Sequence, residues 1–155
     1  MAGTQYEILQ QEDVLYRSNR GKLKLRLFPE GTGDLIFYTR EEKGGPKLSD
    51  YSIYRTENAS ELKSVLDQSF ETAGIVKKTR KLYMKGRTRI HLDSVENLGE
   101  FLELEVVLNE GEDRQNGIDE AREIMAFLQI DPADLLDKAY IDLLMDCHPA
   151  QGIRS

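Results

Sequence analysis

Lys22-Leu23-Lys24-Leu25-Arg26-Leu27 alternates basic and apolar residues without a break. Strict period two is the signature of a β-strand with one apolar and one polar face. Pro29-Glu30-Gly31-Thr32-Gly33-Asp34 follows as a turn, and Leu35 to Arg40 reads as the returning strand of a hairpin. The pattern recurs outward from this point. Leu48 to Arg55, Gly74 to Lys81, Arg87 to Asp93 and Phe101 to Leu108 all carry strand patterning, with turns at Gly86 and at Glu96-Asn97-Leu98-Gly99. A further, weaker strand is expected around Val14 to Tyr16, which makes seven in all.

Helical spacing appears in three places. Asn58 and Glu61 have capping-box spacing ahead of Leu62, Val65, Leu66 and Phe70, predicting a helix over 58–70. Asn116 is placed to cap a second helix with Ile118, Ala121, Met125 and Leu128 on one face. Asp131-Pro132 is a cap followed by proline at the first helical position, with Leu135, Leu136, Ala139, Leu143 and Leu144 behind it. Glu41 to Lys47 and Asn109 to Asn116 read as loops. Residues 1–145 are expected to form one domain, and 146–155 a tail.

Bulk properties exclude several classes. The 155 residues, 39% hydrophobic and 32% charged, suit one globular domain rather than a disordered chain. No apolar run approaches the ~20 residues of a membrane span, and the first residues lack the basic and apolar regions of a secretory signal. With the single Cys147 unable to form an internal disulfide, the cytoplasm is the expected compartment. Cys147 and His148 are too isolated to make a zinc site. The net charge of −7 conceals an asymmetry: residues 17–89 hold 17 of the 21 Lys and Arg, whereas residues 93–155 hold 16 of the 28 acids. A nucleic-acid partner is disfavoured by the acidic total and by the scarcity of aromatics among the bases. No membrane partner is expected, and a homodimer is compatible with the chain.

Side chains two apart in a strand share a face. Lys22, Lys24 and Arg26 therefore point one way and their leucines the other. Lys78 shares a face with Arg80; Arg89 with His91 and Asp93; Glu103 with Glu105. Two arrangements use the apolar face identically, as a seat for helices. An open sheet would leave the charges in water. A closed barrel would enclose them, and like charges can be enclosed only with acids interleaved or a polyanion bound. Basic side chains at strand spacing fit a chain of phosphates, and oxygen ligands such as paired glutamates suit Mg²⁺ or Mn²⁺.

Gly86-Arg-Thr-Arg-Ile-His-Leu-Asp-Ser-Val-Glu-Asn-Leu-Gly-Glu-Phe-Leu-Glu-Leu-Glu105 resembles the signature of CYTH domains, the triphosphate tunnel metalloenzymes, and in particular the branch related to class IV adenylyl cyclases. Gln11-Glu-Asp13, Lys22 to Arg26, Lys47-Leu-Ser-Asp-Tyr51, Lys77 to Arg80 and Ala139-Tyr-Ile-Asp-Leu-Leu144 match in order. The resemblance implies an α+β fold: an antiparallel β-barrel, the triphosphate tunnel, with helices packed outside. It assigns triphosphate binding to Lys24, Arg26, Arg40, Lys78, Arg80 and Arg89, with Asp93, Glu103 and Glu105 at the metal end. Mg²⁺ or Mn²⁺ would be the cofactor, and a small-molecule triphosphate or ATP the partner. The implied activity is hydrolysis of inorganic, thiamine or nucleoside triphosphate, with cyclisation of ATP to cyclic AMP, or silent binding, as alternatives. Family members have eight strands and open on a strand carrying Glu-x-Glu-x-Lys, followed by a helix. The match here begins just before Gln11, so that strand and helix, with their catalytic residues, are expected to be missing.

Overall fold

The fold comes from a computed structural model that describes residues 5–40, 49–136 and 139–147. Seven strands form one antiparallel sheet: β1 (Tyr6–Tyr16), β2 (Lys22–Leu27), β3 (Gly33–Arg40), β4 (Ser49–Thr56), β5 (Thr72–Lys85), β6 (Thr88–Val95) and β7 (Gly99–Val106). Their order is β4-β3-β2-β1-β5-β6-β7, so β4 and β7 are the edges. Between β4 and β5 the chain crosses through α1 (Ala59–Ser69); α2 (Arg114–Phe127) and α3 (Tyr140–Cys147) follow β7. Each of the six later strands agrees with its sequence expectation to within a few residues. The first runs far beyond Val14–Tyr16, and with β5 forms the long spine of the sheet, paired from Tyr6↔Tyr83 to Tyr16↔Thr72.

The sheet curls. Tyr51 on β4 donates a 2.7 Å hydrogen bond to Glu105 Oε1 on β7, so side chains from the two edges meet over one face. That face is concave, and it carries the charged residues of the alternating strands. Directly opposed residues share a face. The pairs Asp13↔Arg26, Leu15↔Lys24, Gln11↔Lys78, Arg80↔Asp93, His91↔Glu103 and Arg89↔Glu105 therefore assemble one continuous floor.

The opposite, outer face is apolar, as the alternation requires. Val14, Tyr16 and Leu25 are buried there with Leu66 of α1, and Leu23, Leu27, Leu35 and Leu62 pack around them. Asn58 caps α1 by accepting from the Glu61 amide at 3.2 Å, the predicted capping spacing. The second helix starts earlier than expected, because Asp113 rather than Asn116 caps it, accepting from the Gln115 amide at 2.9 Å. Arg87 ties it to the sheet through Glu112 and Glu120. The long helix expected from Asp131-Pro132 is instead a 3₁₀ turn at Pro132–Asp134, then α3. That third helix leaves the outer face: Ile141 joins Leu15, Val76 and Val95 in a second core on the concave side, with Phe101 and Tyr140 against it. It covers one end of the charged floor. No described helix is long and apolar enough to cross a membrane.

Candidate functional site

Asp13 organises the floor. Its carboxylate accepts two hydrogen bonds of 2.8 Å from the Arg26 guanidinium and one of 2.9 Å from Lys78 Nζ, with Lys24 Nζ at 3.6 Å. The three cations come from strands on either side of β1, so Asp13 is the one anion among three positive groups. Burial opposes its charge, but the Arg26 hydrogen bonds and the charges of Arg26, Lys24 and Lys78 prevail. They hold its carboxyl well below the usual range. For Lys24 the balance tips the other way. Burial is the largest effect; Asp13 favours the charged form, while Arg26 and Lys78 oppose it, and its pKa falls to about 8. Lys24 also lies over the Tyr38 ring, 5.1 Å from its centroid.

A second pair lies beside the first. Arg80 and Asp93 are both buried and make two hydrogen bonds of 2.7 Å, and the Tyr140 hydroxyl of α3 donates to Asp93 Oδ2 at 2.8 Å. Lys78 lies 5.7 Å from the Tyr140 ring centroid. The predicted cations Lys24, Arg26, Lys78 and Arg80 are thus brought together, with acids interleaved among them. Arg89 shares their face and stands opposite Glu105. Arg40 ends β3, and its side chain lies outside the described residues.

The acidic end differs from its expected make-up. His91, Glu103 and Glu105 bring one ligand atom each within 4.8 Å of one another. Asp93 is not in this group; it is held by Arg80 and Tyr140. His91 is 3% exposed, with Nδ1 at 3.3 Å from Glu103 Oε1 and Nε2 at 3.8 Å from Glu105 Oε2. The Glu103 side chain faces the open cavity, 48% exposed. Its enclosure by protein favours the neutral form, but the His91 hydrogen bond and the charges of Arg80, His91 and Lys24 outweigh this and keep it ionised. Two carboxylates and an imidazole are a donor set that a divalent cation accepts. The Mg²⁺ or Mn²⁺ implied by the resemblance therefore fits the residues present.

Asp13, Tyr140 and Tyr51 are the participants to which the alternation assigns no role. Asp13 lies two residues from Gln11 and Leu15 on the concave face, but the polar run Gln10-Gln11-Glu12-Asp13 carries no alternation that would have placed it there. Tyr140 and Tyr51 have no signal beyond their places in matched motifs.

The described residues thus form a curled antiparallel sheet with a cation-rich floor and a carboxylate–imidazole cluster on one concave face. The chain belongs to the CYTH domain family, whose profile matches residues 4–140. A Methanocaldococcus jannaschii protein named "putative adenylate cyclase" is 30% identical over 106 residues, or 64% of this chain. The chain spans about three fifths of that relative's length (61%). Among solved structures, a Pyrococcus horikoshii protein superposes with a TM-score of 0.82 at 22% identity, covering 92% of this chain and 87% of the other. A conserved hypothetical protein of Pyrococcus furiosus gives 0.79 at 19% identity, covering 91% and 86%.

Proposed function

We propose that the concave face binds the triphosphate of a small molecule together with Mg²⁺ or Mn²⁺, and that the protein hydrolyses that triphosphate. The observation that carries this reading is the charge arrangement. Lys24, Arg26 and Lys78 share the single carboxylate of Asp13, and Glu103 and Glu105 lie on the same face at its acidic end. At the centre of the floor five basic side chains meet four carboxylates, an excess of one positive charge that a bound dication would raise to three. A polyanion is the complement of that surplus.

Each residue then has a task. Arg26 and Arg80 are oriented by Asp13 and Asp93, so their free N–H groups are fixed before a phosphate arrives. Lys24, Lys78 and Arg89 add charge without that directional fork. Glu103 and Glu105, with His91 between them, hold the cation. When bound, that cation neutralises charge on the phosphate oxygens as it develops. Phosphoryl transfer through a loose transition state demands positioning and charge stabilisation above all, which such a floor supplies to an attacking water.

A second reading is favoured by the name of the Methanocaldococcus relative: the same floor would hold ATP while the ribose 3′-hydroxyl replaces water, giving cyclic AMP and pyrophosphate. The deciding experiment incubates the protein with inorganic triphosphate, thiamine triphosphate and ATP, each with Mg²⁺ or Mn²⁺. Orthophosphate without cyclic AMP is the expected product. Cyclic AMP with pyrophosphate would select the cyclase. Tight binding without turnover would leave a polyphosphate or nucleotide binder.

A further inference from the structure

We infer that the metal centre of this face is a mixed nitrogen–oxygen site, with His91 Nε2 as a ligand, and that it selects first-row transition dications such as Mn²⁺ over Mg²⁺. The inference rests on the metal-bound reading above and goes beyond it by naming the nitrogen donor and the class of cation.

The geometry around His91 carries it. Strand pairing sets His91 opposite Glu103 and next but one to the position opposite Glu105, so the imidazole lies between two carboxylates of β7. Its ring is almost wholly buried and cannot swing out to water. At 3.3 Å, Nδ1 is within hydrogen-bond reach of Glu103 Oε1. With Nδ1 turned to Glu103, Nε2 is the ring nitrogen on the Glu105 side. That nitrogen lies 3.8 Å from Glu105 Oε2, and His91, Glu103 and Glu105 bring one ligand atom each within 4.8 Å of one another.

The distance of 3.8 Å is beyond a hydrogen bond. It suits a shared cation: bonds of about 2.1 Å to each atom place the donors about 3–4.2 Å apart as the angle at the cation opens from 90° to 180°. A carboxylate on the far ring nitrogen is the usual partner of a metal-bound histidine, fixing the tautomer and the ring orientation. Glu103 stands where that partner belongs.

Donor chemistry gives the selectivity. Mg²⁺ takes oxygen ligands and keeps its waters, whereas an added imidazole nitrogen suits first-row transition dications, with Mn²⁺ the weakest of that series and so the most demanding test of the preference.

Electron spin-echo envelope modulation of Mn²⁺ bound to the full-length wild-type protein reads a directly bound ¹⁴N without any substitution. Titrations of wild type, H91Q and E105Q with Mn²⁺ and with Mg²⁺ measure the selectivity. Nitrogen modulation is expected in the wild type. In H91Q it should vanish, with Mn²⁺ affinity down about tenfold or more and Mg²⁺ affinity changed far less. Mn²⁺ bound without nitrogen modulation, or bound by H91Q as tightly as by wild type, would overturn the inference. If E105Q still loses metal in that case, the carboxylate site survives and only the role of His91 falls. A wild type that binds neither cation, alone or with tripolyphosphate, would overturn the underlying reading as well.

Discussion

Asp13 is a lone anion at 2% exposure among three cations, and this makes it the most consequential single charge on the concave face. Removing one partner from a buried ionic cluster strands the rest, at a cost of about 3–5 kcal/mol. Asp13→Asn is therefore expected to lose stability on that scale in urea denaturation, and tripolyphosphate should restore more stability to the variant than to the wild type. A variant as stable as wild type would show that these cations need no internal counter-charge. Lys24 gives a pH dependence at the same scale. Burial lowers its pKa to about 8, and a bound polyanion would raise it again. Between about 8 and the ordinary Lys value of 10.4, binding must therefore take up a proton, so affinity should fall as pH rises through 8. Calorimetry at pH 8.5 in buffers of different ionisation heat would detect that proton, and Lys24→Met should reduce its uptake, leaving only what Lys78, its pKa also lowered by burial, contributes. Residues on clean alternation, from Lys22 through Glu105, were legible because period two assigns their face. Asp13 was not, because Gln10-Gln11-Glu12-Asp13 is polar on both sides of the strand and periodicity is silent there.

Among the elements, the helices divide into those whose placement the sequence determines and one whose placement it does not. The first carries its apolar stripe toward the outer leucines, the second buries Ala121, Ile124 and Met125, and their caps are visible as Asn58 and, shifted by three residues, Asp113. The stripe of the third is as apolar, but a stripe says that a helix is covered, not which side of a sheet covers it. The discriminating residue lies far away in β5. A Cβ on Gly74 would collide with Ile141 Cδ1, so the bare backbone at that position is what lets α3 sit on the concave face. An alanine there could be met by rotation of the flexible Ile141 side chain; a valine could not. Gly74→Val is expected to cost about 1–3 kcal/mol by overpacking, and Ile141→Ala about 2–5 kcal/mol through the cavity it leaves. Combined, the two should cost clearly less than their sum, since each relieves the fault of the other. Strict additivity in denaturant midpoints would mean that α3 does not rest on Gly74.

For the molecule as a whole, alternation leaves closure open, because a flat sheet and a curled one share the same odd–even pattern. What decides it is contact between strands remote in the sheet order, which no local pattern encodes. The described residues show the two edges, β4 and β7, without a shared ladder but joined by the Tyr51–Glu105 hydrogen bond. Burial in the enclosure and that bond together raise the Tyr51 pKa to about 12, so the phenol stays protonated and able to donate throughout the physiological range. The curl is thus held at its rim by a neutral donor on an ionised acceptor, a pairing worth about 1.5–3 kcal/mol where solvent is partly excluded. Tyr51 is 46% exposed, which places its contribution at the lower end. Tyr51→Phe keeps the ring and deletes the donor. Its effect should be confined to the rim: amide exchange in β4 and β7 should accelerate several-fold, while the β1–β5 spine, paired along the whole of β1, keeps its protection. Equal acceleration in the spine would mean that the rim bond stabilises the entire sheet. No change at either edge would mean that the twist of the strands alone sets the curl.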